Sequence, residues 1–535
     1  MTPITSAVPL PRVSRTKLAL VLAWTVVAMV LTLRAGFYPA VMTGDEVWFA
    51  ESAFQFLHHG QPLRAIHADA VGSATADFLP PVTMLVQAAA FAVFGVSPLA
   101  VAAQSVIAPL AVSVLIYLAA RRAGVGTLWA GLAALALMGS PIFLRAGLYI
   151  RYESLVTACF LAYLAATLHA RRADNPYAWR GLAGFWLALA GLSYYPLAPF
   201  VGLAAAVVEG MALQRPLRPT REDGRAIISL VAGFAVPAIL FAWYVGENWA
   251  VFAIQVLQNG SNNYLVFELP RRMFEVEFWL ASRDVLPELV IIIGALVVIG
   301  RRLGRLAPLD RSLFLAAAVL MVPAVIYPFQ PRLLAPSIAV LLVLGAIWAE
   351  RAEAHRLWAR AALFIGAGAA SAVGLLLVWT SATQFDGRDY AAVASRLERL
   401  TVGEGPVAID QRAWLALRAH NPNRELHHVM PGWAPAQVRV FESSILRDPT
   451  LGTHFEYVVL NAADAVETVR ETPALARAFQ DGQFMAIGRV QPLFRPLPWA
   501  KDPPYDLIVF ARRDADTMRM AARAAPLPEP YWFGP

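Results

Sequence analysis

The sequence predicts a polytopic α-helical membrane protein of about eleven transmembrane helices, followed by a C-terminal soluble α/β domain. Three observations carry this. Of the 535 residues 58% are hydrophobic and 15% charged, and apolar runs of about 18 residues or more recur through the first part of the chain. Between those runs the basic residues collect in short clusters, the pattern that marks the cytoplasmic side of a membrane protein. Past residue 383 the composition turns mixed and polar, and short β-rich runs alternate with helical patterns.

The first apolar run, Leu18–Leu33, follows Arg12, Arg15 and Lys17. Signal peptides share that layout, but Arg34-Ala-Gly-Phe-Tyr-Pro39 leads straight into an acidic loop with no convincing small-residue cleavage site. The run therefore reads as an uncleaved first span. The other basic clusters are Arg121-Arg122, Arg171–Arg180, Arg215–Arg225, Arg301–Arg311 and Arg351–Arg360. Placing all of them in the cytoplasm sets spans near 18–34, 98–120, 127–144, 154–170, 181–195, 196–213, 226–246, 285–300, 312–328, 333–349 and 361–382. The N-terminus is then inside and the C-terminus outside. Pro81–Gly95 is apolar but only about 22 Å long as a helix. Counting it as a span would carry Arg121-Arg122 outside, so it reads as a juxtamembrane helix, with a short tilted span as the alternative. The interval 181–213 has two basic ends and is interrupted by Ser193-Tyr-Tyr-Pro196, so it reads as two short helices meeting near the outer face.

The domain boundary falls at 382/383: a membrane domain over 1–382 with an external loop at 35–80, and a soluble domain over 383–535. In the latter, strands are expected at Pro406–Asp410, Tyr457–Leu460 and Asp506–Phe510, with helices near 388–400, 411–419 and 464–479. It carries no glycine-rich phosphate loop and no metal-ligand spacing, and His427-His428 reads as a surface pair. The formal charge of +7 raises a nucleic-acid partner, which its distribution excludes. Residues 1–383 hold 27 Lys and Arg against 19 Asp and Glu, whereas residues 384–535 hold 17 against 18. The excess belongs to membrane loops. Cys159 sits alone in an apolar run and is a packing residue, with no disulfide framework and no thiolate metal site. No internal repeat stands out.

On this topology every polar constellation of note is external. Asp45-Glu46 lies in the loop after the first span. A helix start would use Asp45 as a cap, but the sequel Val47-Trp-Phe-Ala-Glu-Ser-Ala-Phe-Gln-Phe-Leu57 is an aromatic amphipathic helix of the kind that lies in a membrane interface. Adjacent carboxylates at a membrane mouth are costly to desolvate and suit proton abstraction or cation binding. Arg151-Tyr-Glu153 ends one helix pair; its bland reading is a local ion pair, its alternative an arginine fork for a phosphate beside an acid for an acceptor. Gln330-Pro-Arg332 breaks the positive-inside pattern, either by snorkelling to headgroups or as a second phosphate contact. Tyr194-Tyr195-Pro196 fits an aromatic belt as well as a site wall. His58, His59, His67, Asp69 and Asp77 share the external loop and leave a divalent metal open, though no spacing among them is diagnostic.

Several of these motifs together resemble a known family. Gly44-Asp-Glu46 follows the first span. Leu79-Pro-Pro-Val82 is followed by Phe94-Gly-Val-Ser-Pro98 and Ala120-Arg-Arg122. The turn Ser140-Pro-Ile-Phe143 leads to Arg151-Tyr-Glu153, and Pro331-Arg-Leu-Leu-Ala-Pro336 opens a late span. Over roughly residues 15–350 this resembles the protein-mannosyltransferase and aminoarabinose-transferase branch of the GT-C membrane glycosyltransferases. The resemblance implies an inverting transfer from a polyprenyl-phosphate-linked sugar donor to a lipid, glycan or protein acceptor approaching from the periplasm. It implies Asp45 as general base with Glu46 beside it and Glu153 as the second acid. Arg151 and Arg332 become phosphate contacts, with Tyr194, Tyr195, Gln330 and His67 as further substrate-binding candidates. Leu79 stands where many relatives carry Lys, and Tyr194-Tyr195-Pro196 where many carry Lys or Gly-Pro. A bacterial inner-membrane location follows from the same reading, and the abundance of Ala, Arg and Pro suggests a GC-rich genome. Two other function classes remain in view: a lipid-linked-sugar flippase or transporter, which would favour mid-membrane charges and repeat symmetry, and a noncatalytic envelope-polysaccharide assembly protein. One spatial expectation underlies the enzyme reading: Asp45 and Arg151 face a common cavity.

Overall fold

The computed structural model describes residues 23–26, 28, 44–60, 80–138, 140, 152–212, 220–246, 249–250, 252–253, 275, 303–327, 331–351, 356–383, 390–429, 451–491 and 506–514. The helices begin where the sequence carries stop and start signals. Ser97 caps α3 (Pro98–Arg122) by accepting from the Ala100 N–H at 3.2 Å, and Asn175 caps α6 (Pro176–Ser193) through Ala178. Both helices open on proline, whose missing N–H is harmless in a first turn. Before them come α1 (Gly44–His59) and α2 (Pro81–Phe94), and between them α4 (Thr127–Met138) and α5 (Tyr152–Ala170). After α6, Tyr195–Leu197 forms a single 3-10 turn leading into α7 (Ala198–Ala212). Then follow α8 (Arg221–Gly246), α9 (Pro308–Ile326), α10 (Ala335–Glu350) and α11 (Arg356–Thr383).

Five of these helical stretches are long and apolar enough to cross a membrane: Pro98–Arg122, Tyr152–Ala170, Arg221–Gly246, Pro308–Ile326 and Arg332–Glu350. They coincide with five expected spans. The expected spans at 127–144 and 196–213 appear as shorter apolar helices, and that at 361–382 falls within α11. Pro81–Phe94 is likewise a short apolar helix. The spans at 18–34 and 285–300 lie outside the described residues, save for a few helical residues at 23–28. On α8, Ile228, Val231, Ile239, Leu240 and Trp243 are all exposed, an apolar surface that suits contact with lipid.

Helices in lipid gain little from hydrophobic exclusion, so close backbone packing has to hold them. The crossing of α6 and α8 shows how: Gly181 of one meets Gly233 of the other and Gly184 meets the Leu230 and Phe234 backbone, so that a Cβ at Gly184 would strike the Leu230 carbonyl while one at Gly233 would strike the Gly181 carbonyl. Gly233→Leu is expected to pry the two helices apart and cost about 3 kcal/mol or more, since overpacking against backbone cannot be relieved by a rotamer change. Thermal unfolding in detergent checks this; a melting point equal to wild type would show the crossing to be dispensable.

The helix ends sort into two sets. At one, Tyr163 and Thr167 donate to Glu209 at 2.9 and 3.2 Å, with Arg180 completing the cluster. Asp310 accepts from Trp348 Nε1 at 3.0 Å and from Arg351 at 2.6 Å, and Glu350 accepts from the Gly126 N–H at 2.7 Å. Arg180, Arg351 and the Arg121-Arg122 end of α3 thus share one side of the bundle. Tyr152, Glu153, Ser193, Tyr194 and Arg332 lie at the opposite helix ends.

The described residues between 390 and 514 form a five-stranded sheet with helices packed on it. Its strands are β1 (Val407–Ile409), β2 (Leu426–His428), β3 (Tyr457–Asn461), β4 (Phe484–Val490) and β5 (Leu507–Arg512), in the order β2-β1-β3-β5-β4. β1 runs parallel to β2 and β3, while β5 runs antiparallel to β3 and β4. The period of two puts Ala408, Val458, Leu460, Ile508 and Phe510 on one face against α14 (Ala465–Glu471) and α15 (Pro473–Gln480). Thr472-Pro473 splits what the sequence reads as one helix, because proline disfavours a helical residue before it. On the other face, Val407, Ile409, Tyr457, Val459, Leu507 and Val509 pack against α12 (Tyr390–Leu400) and α13 (Trp414–His420).

That second face does not end at α13. Its core continues through Val47, Phe49 and Phe54 of α1, Met84 and Phe91 of α2, Ala100 and Val101 of α3, and Tyr152 of α5. The sheet region and the first helices therefore share one apolar core, and this corrects the expectation for α1. Rather than showing a polar side to headgroups, α1 buries Glu46, Glu51, Ser52 and Gln55 along with its aromatics. Buried charge needs partners, and Glu51 has them: Arg418 Nη2 at 2.7 Å, Trp414 Nε1 at 2.6 Å and Gln55 Nε2 at 2.7 Å, while the Arg418 guanidinium lies over the Phe54 ring.

Candidate functional site

The end of the bundle that meets the sheet region carries the candidate site. Pro331–Leu334 makes a 3-10 turn ahead of α10, and Arg332 projects from it to Glu153 in the first turn of α5, Nε to Oε1 2.6 Å. Glu153 is fully buried (0% exposed) and the Arg332 side chain is 24% exposed. A carboxylate buried this deeply is stable as an anion only beside a cation. Two residues some 180 positions apart, which the sequence suggested separately, are thus one ion pair.

Aromatic rings connect this pair to the helix carrying the acids. Tyr152, next to Glu153, stacks on Tyr194 with centroids 3.7 Å apart, and meets Phe49 edge-on at 5.8 Å. Phe49 is three residues from Glu46, so the two share a face of α1, and Glu46 is itself buried at 1% exposure. The tip is held from below by Thr83 of α2, whose hydroxyl donates to the Ser193 carbonyl at 3.2 Å. Tyr194 and Tyr195 do not act as one wall: Tyr194 joins Tyr152, while Tyr195 turns to Phe241 and Phe252 at 5.7 and 6.0 Å. The extended backbone of Tyr194 ahead of the 3-10 turn sends successive side chains to opposite sides.

Asp45 lies in the first turn of α1, but its side chain falls outside the described residues, as do Arg151, Gln330, His67, Asp69 and Asp77. The common cavity expected for Asp45 and Arg151 therefore lies outside them too. His58 packs its ring on Phe54 at 4.1 Å and its Nδ1 lies 2.9 Å from the Phe54 carbonyl, so it is a helix-end residue held against its own turn, and both His58 and His59 are exposed.

Two readings of the sheet region need correction. His427 and His428 are not a surface pair: each is 3% exposed, because β2 is covered on both faces. Burial holds the His428 imidazole down at about 3. A three-residue group, Glu425, His427 and His454, has ligand-type atoms within 4.8 Å of one another, which linear spacing could not show because His454 comes from a distant turn. Burial pushes the Glu425 carboxyl up, but hydrogen bonds and charge from His427 and then His454 outweigh it and leave it below its ordinary range. Asp410 moves the other way: burial raises it, opposed by Arg412. Sequence reasoning also passed over Glu51, Trp414 and Arg418; the available signal was a carboxylate and an amide at positions 51 and 55, one turn apart among the aromatics of α1.

Residues 79–243 match the family model described as dolichyl-phosphate-mannose-protein mannosyltransferase. No curated protein matches the chain. Among solved structures, ArnT from Cupriavidus metallidurans in the apo state superposes with a TM-score of 0.60 at 14% identity, over 96% of this chain and 100% of that one. The same protein bound to undecaprenyl phosphate gives a TM-score of 0.58 at 15% identity, over 94% and 99% of the two chains. The chain has a helical membrane fold of the GT-C type, similar to that of ArnT and extending through the C-terminal sheet region.

Proposed function

We propose that this chain is an inverting glycosyltransferase that moves a sugar from a polyprenyl-phosphate carrier to a hydroxyl of a lipid, glycan or protein acceptor. The observation that carries the reading is the likeness of fold to ArnT along nearly the whole chain, a protein seen bound to undecaprenyl phosphate. The buried Glu153–Arg332 pair supports it, since a guanidinium steadied by a carboxylate is oriented in advance for phosphate oxygens. In this reading Asp45 takes the proton from the acceptor hydroxyl as its oxygen attacks the anomeric carbon. The bond from that carbon to the phosphate oxygen breaks, and the carrier phosphate leaves as a stable anion without needing a proton. Glu46 lies beside the base. Arg332 and Arg151 hold the phosphate, and Tyr152 and Tyr194 shape the wall beside them, with Gln330, Tyr195 and His67 as outer contacts. A divalent metal stays open at this site.

The topology goes with this reading: eleven crossings in the inner membrane of a bacterium, the basic helix ends in the cytoplasm, and residues 383–535 as a periplasmic domain above the site. Proteoliposomes given a radiolabelled polyprenyl-phosphate sugar and an acceptor extract test it. The wild type is expected to transfer label, and Asp45→Asn to lower the rate by about 10²–10⁴-fold, the usual contribution of a positioned base, without changing the amount of folded protein. Transfer at the wild-type rate by Asp45→Asn would remove that acid from the mechanism. Label crossing the bilayer without being transferred would make the chain a transporter.

A further inference from the structure

The sheet region carries a second polar cluster, separate from the residues assigned to transfer. Glu425 directly precedes β2 and His427 lies two residues on, so both project to one side of the strand. His454 ends the 3-10 turn Leu451–His454 that leads into β3. β1 lies between β2 and β3, so the turn has to pass the end of β1 to reach the edge strand. There, both imidazoles present Nε2 to a single carboxylate oxygen: His427 Nε2 is 2.6 Å and His454 Nε2 3.3 Å from Glu425 Oε1. One ring, Phe455, packs against both histidines, at 5.3 Å from His427 and 5.7 Å from His454, and fixes their planes.

We propose that Glu425, His427 and His454 form a binding site for a divalent transition metal of the zinc class. Two imidazole nitrogens and one carboxylate oxygen are a donor set that suits zinc and neighbouring metals better than calcium or magnesium, which prefer oxygen alone. Three protein ligands with the outer two exposed leave a fourth position for water, the arrangement of an open zinc site. The nearby cations are turned elsewhere. Arg424 directs its Nε to the Gly405 carbonyl and lies over the Tyr457 ring, and Arg512 is paired with Asp514 at 2.8 Å. Metal there ties the 451–454 turn to the edge strand, across a gap that carries no main-chain ladder.

Zinc alone is the probe, added to the full-length chain purified in detergent after chelation, with binding read by calorimetry and by the rise in melting temperature. His454 is exposed and touches the core only through the edge of Phe455, so His454→Ala is the first variant; His59→Ala, also exposed and at the far end of α1, is the control. The expected result is one zinc per chain in the wild type and in His59→Ala, with affinity at least tenfold weaker and the thermal rise absent in His454→Ala, whose metal-free melting point is unchanged. Glu425→Ala is expected to behave the same way, which guards against a folding defect in either variant. Cobalt in place of zinc should give a tetrahedral visible spectrum that both variants lose. Equal zinc affinity in the wild type and His454→Ala, or no binding by the wild type at tens of micromolar zinc, overturns the proposal.

Discussion

Glu51→Ala is expected to loosen the sheet region from the helices and to lower stability by about 3–5 kcal/mol, the range for removing one partner of a buried ion pair. The reason lies in what is left behind. Arg418 has a side chain only 2% exposed, and without Glu51 it keeps hydrogen bonds to the Pro422 and Arg424 carbonyls but has no counter-charge. Trp414, fully buried, loses the acceptor for its indole N–H. Thermal unfolding followed by tryptophan fluorescence should show a lower or split transition, and limited proteolysis should proceed faster than in wild type. The double variant Glu51→Leu with Arg418→Met is expected to recover much of the loss, because replacing both charges by apolar groups removes the orphaned one. A Glu51→Ala protein that melts like wild type would mean that water reaches Arg418.

Arg332 carries the second large effect, and two substitutions divide it. Arg332→Ala leaves Glu153, with no exposed surface, facing no cation among the described residues; the expected result is a lower melting temperature together with lost transfer. Arg332→Lys keeps a positive charge near Glu153 but not the planar fork that matches two phosphate oxygens. It is expected to hold most of the stability while cutting transfer about 10–100-fold, equivalent to one charge-assisted hydrogen bond of about 1.5–3 kcal/mol. Transfer by Arg332→Lys at the wild-type rate would confine Arg332 to holding Glu153 in place.

Much of this architecture is visible in the residues themselves. Hydrophobic runs mark α3, α5, α8, α9 and α10, and proline in the first turn marks the starts of α3, α9 and α10, because a membrane helix must satisfy its own backbone and so depends on local sequence. β1, β3 and β5 are legible as apolar runs such as Tyr457-Val-Val-Leu460, since a strand covered on both faces has no polar alternation. β2 and β4 were not: Leu426-His-His428 is too short and too polar to stand out, and Gly488 and Arg489 interrupt β4 where its register shifts against β5. The site followed the same division. Glu153 and Arg332 were recognisable singly from their motifs, but their union depends on how the start of α5 meets the turn before α10. Glu51 was hidden for a plainer reason. Trp414 and Arg418, which hold it from the sheet region, are more than 360 residues away, and a helical pattern alone does not tell a buried carboxylate from one facing headgroups.

That separation has a consequence in time. Glu51 and Arg418 are 367 residues apart, so at a synthesis rate of about 5–20 residues per second, roughly 20–70 s pass between the appearance of the acid and that of its guanidinium. During that interval α1 holds Phe49, Phe54 and a carboxylate that cannot enter hydrocarbon alone. The nascent chain must keep this helix at a wet boundary, or in the care of an insertion factor, until the last part of the polypeptide arrives to cover it.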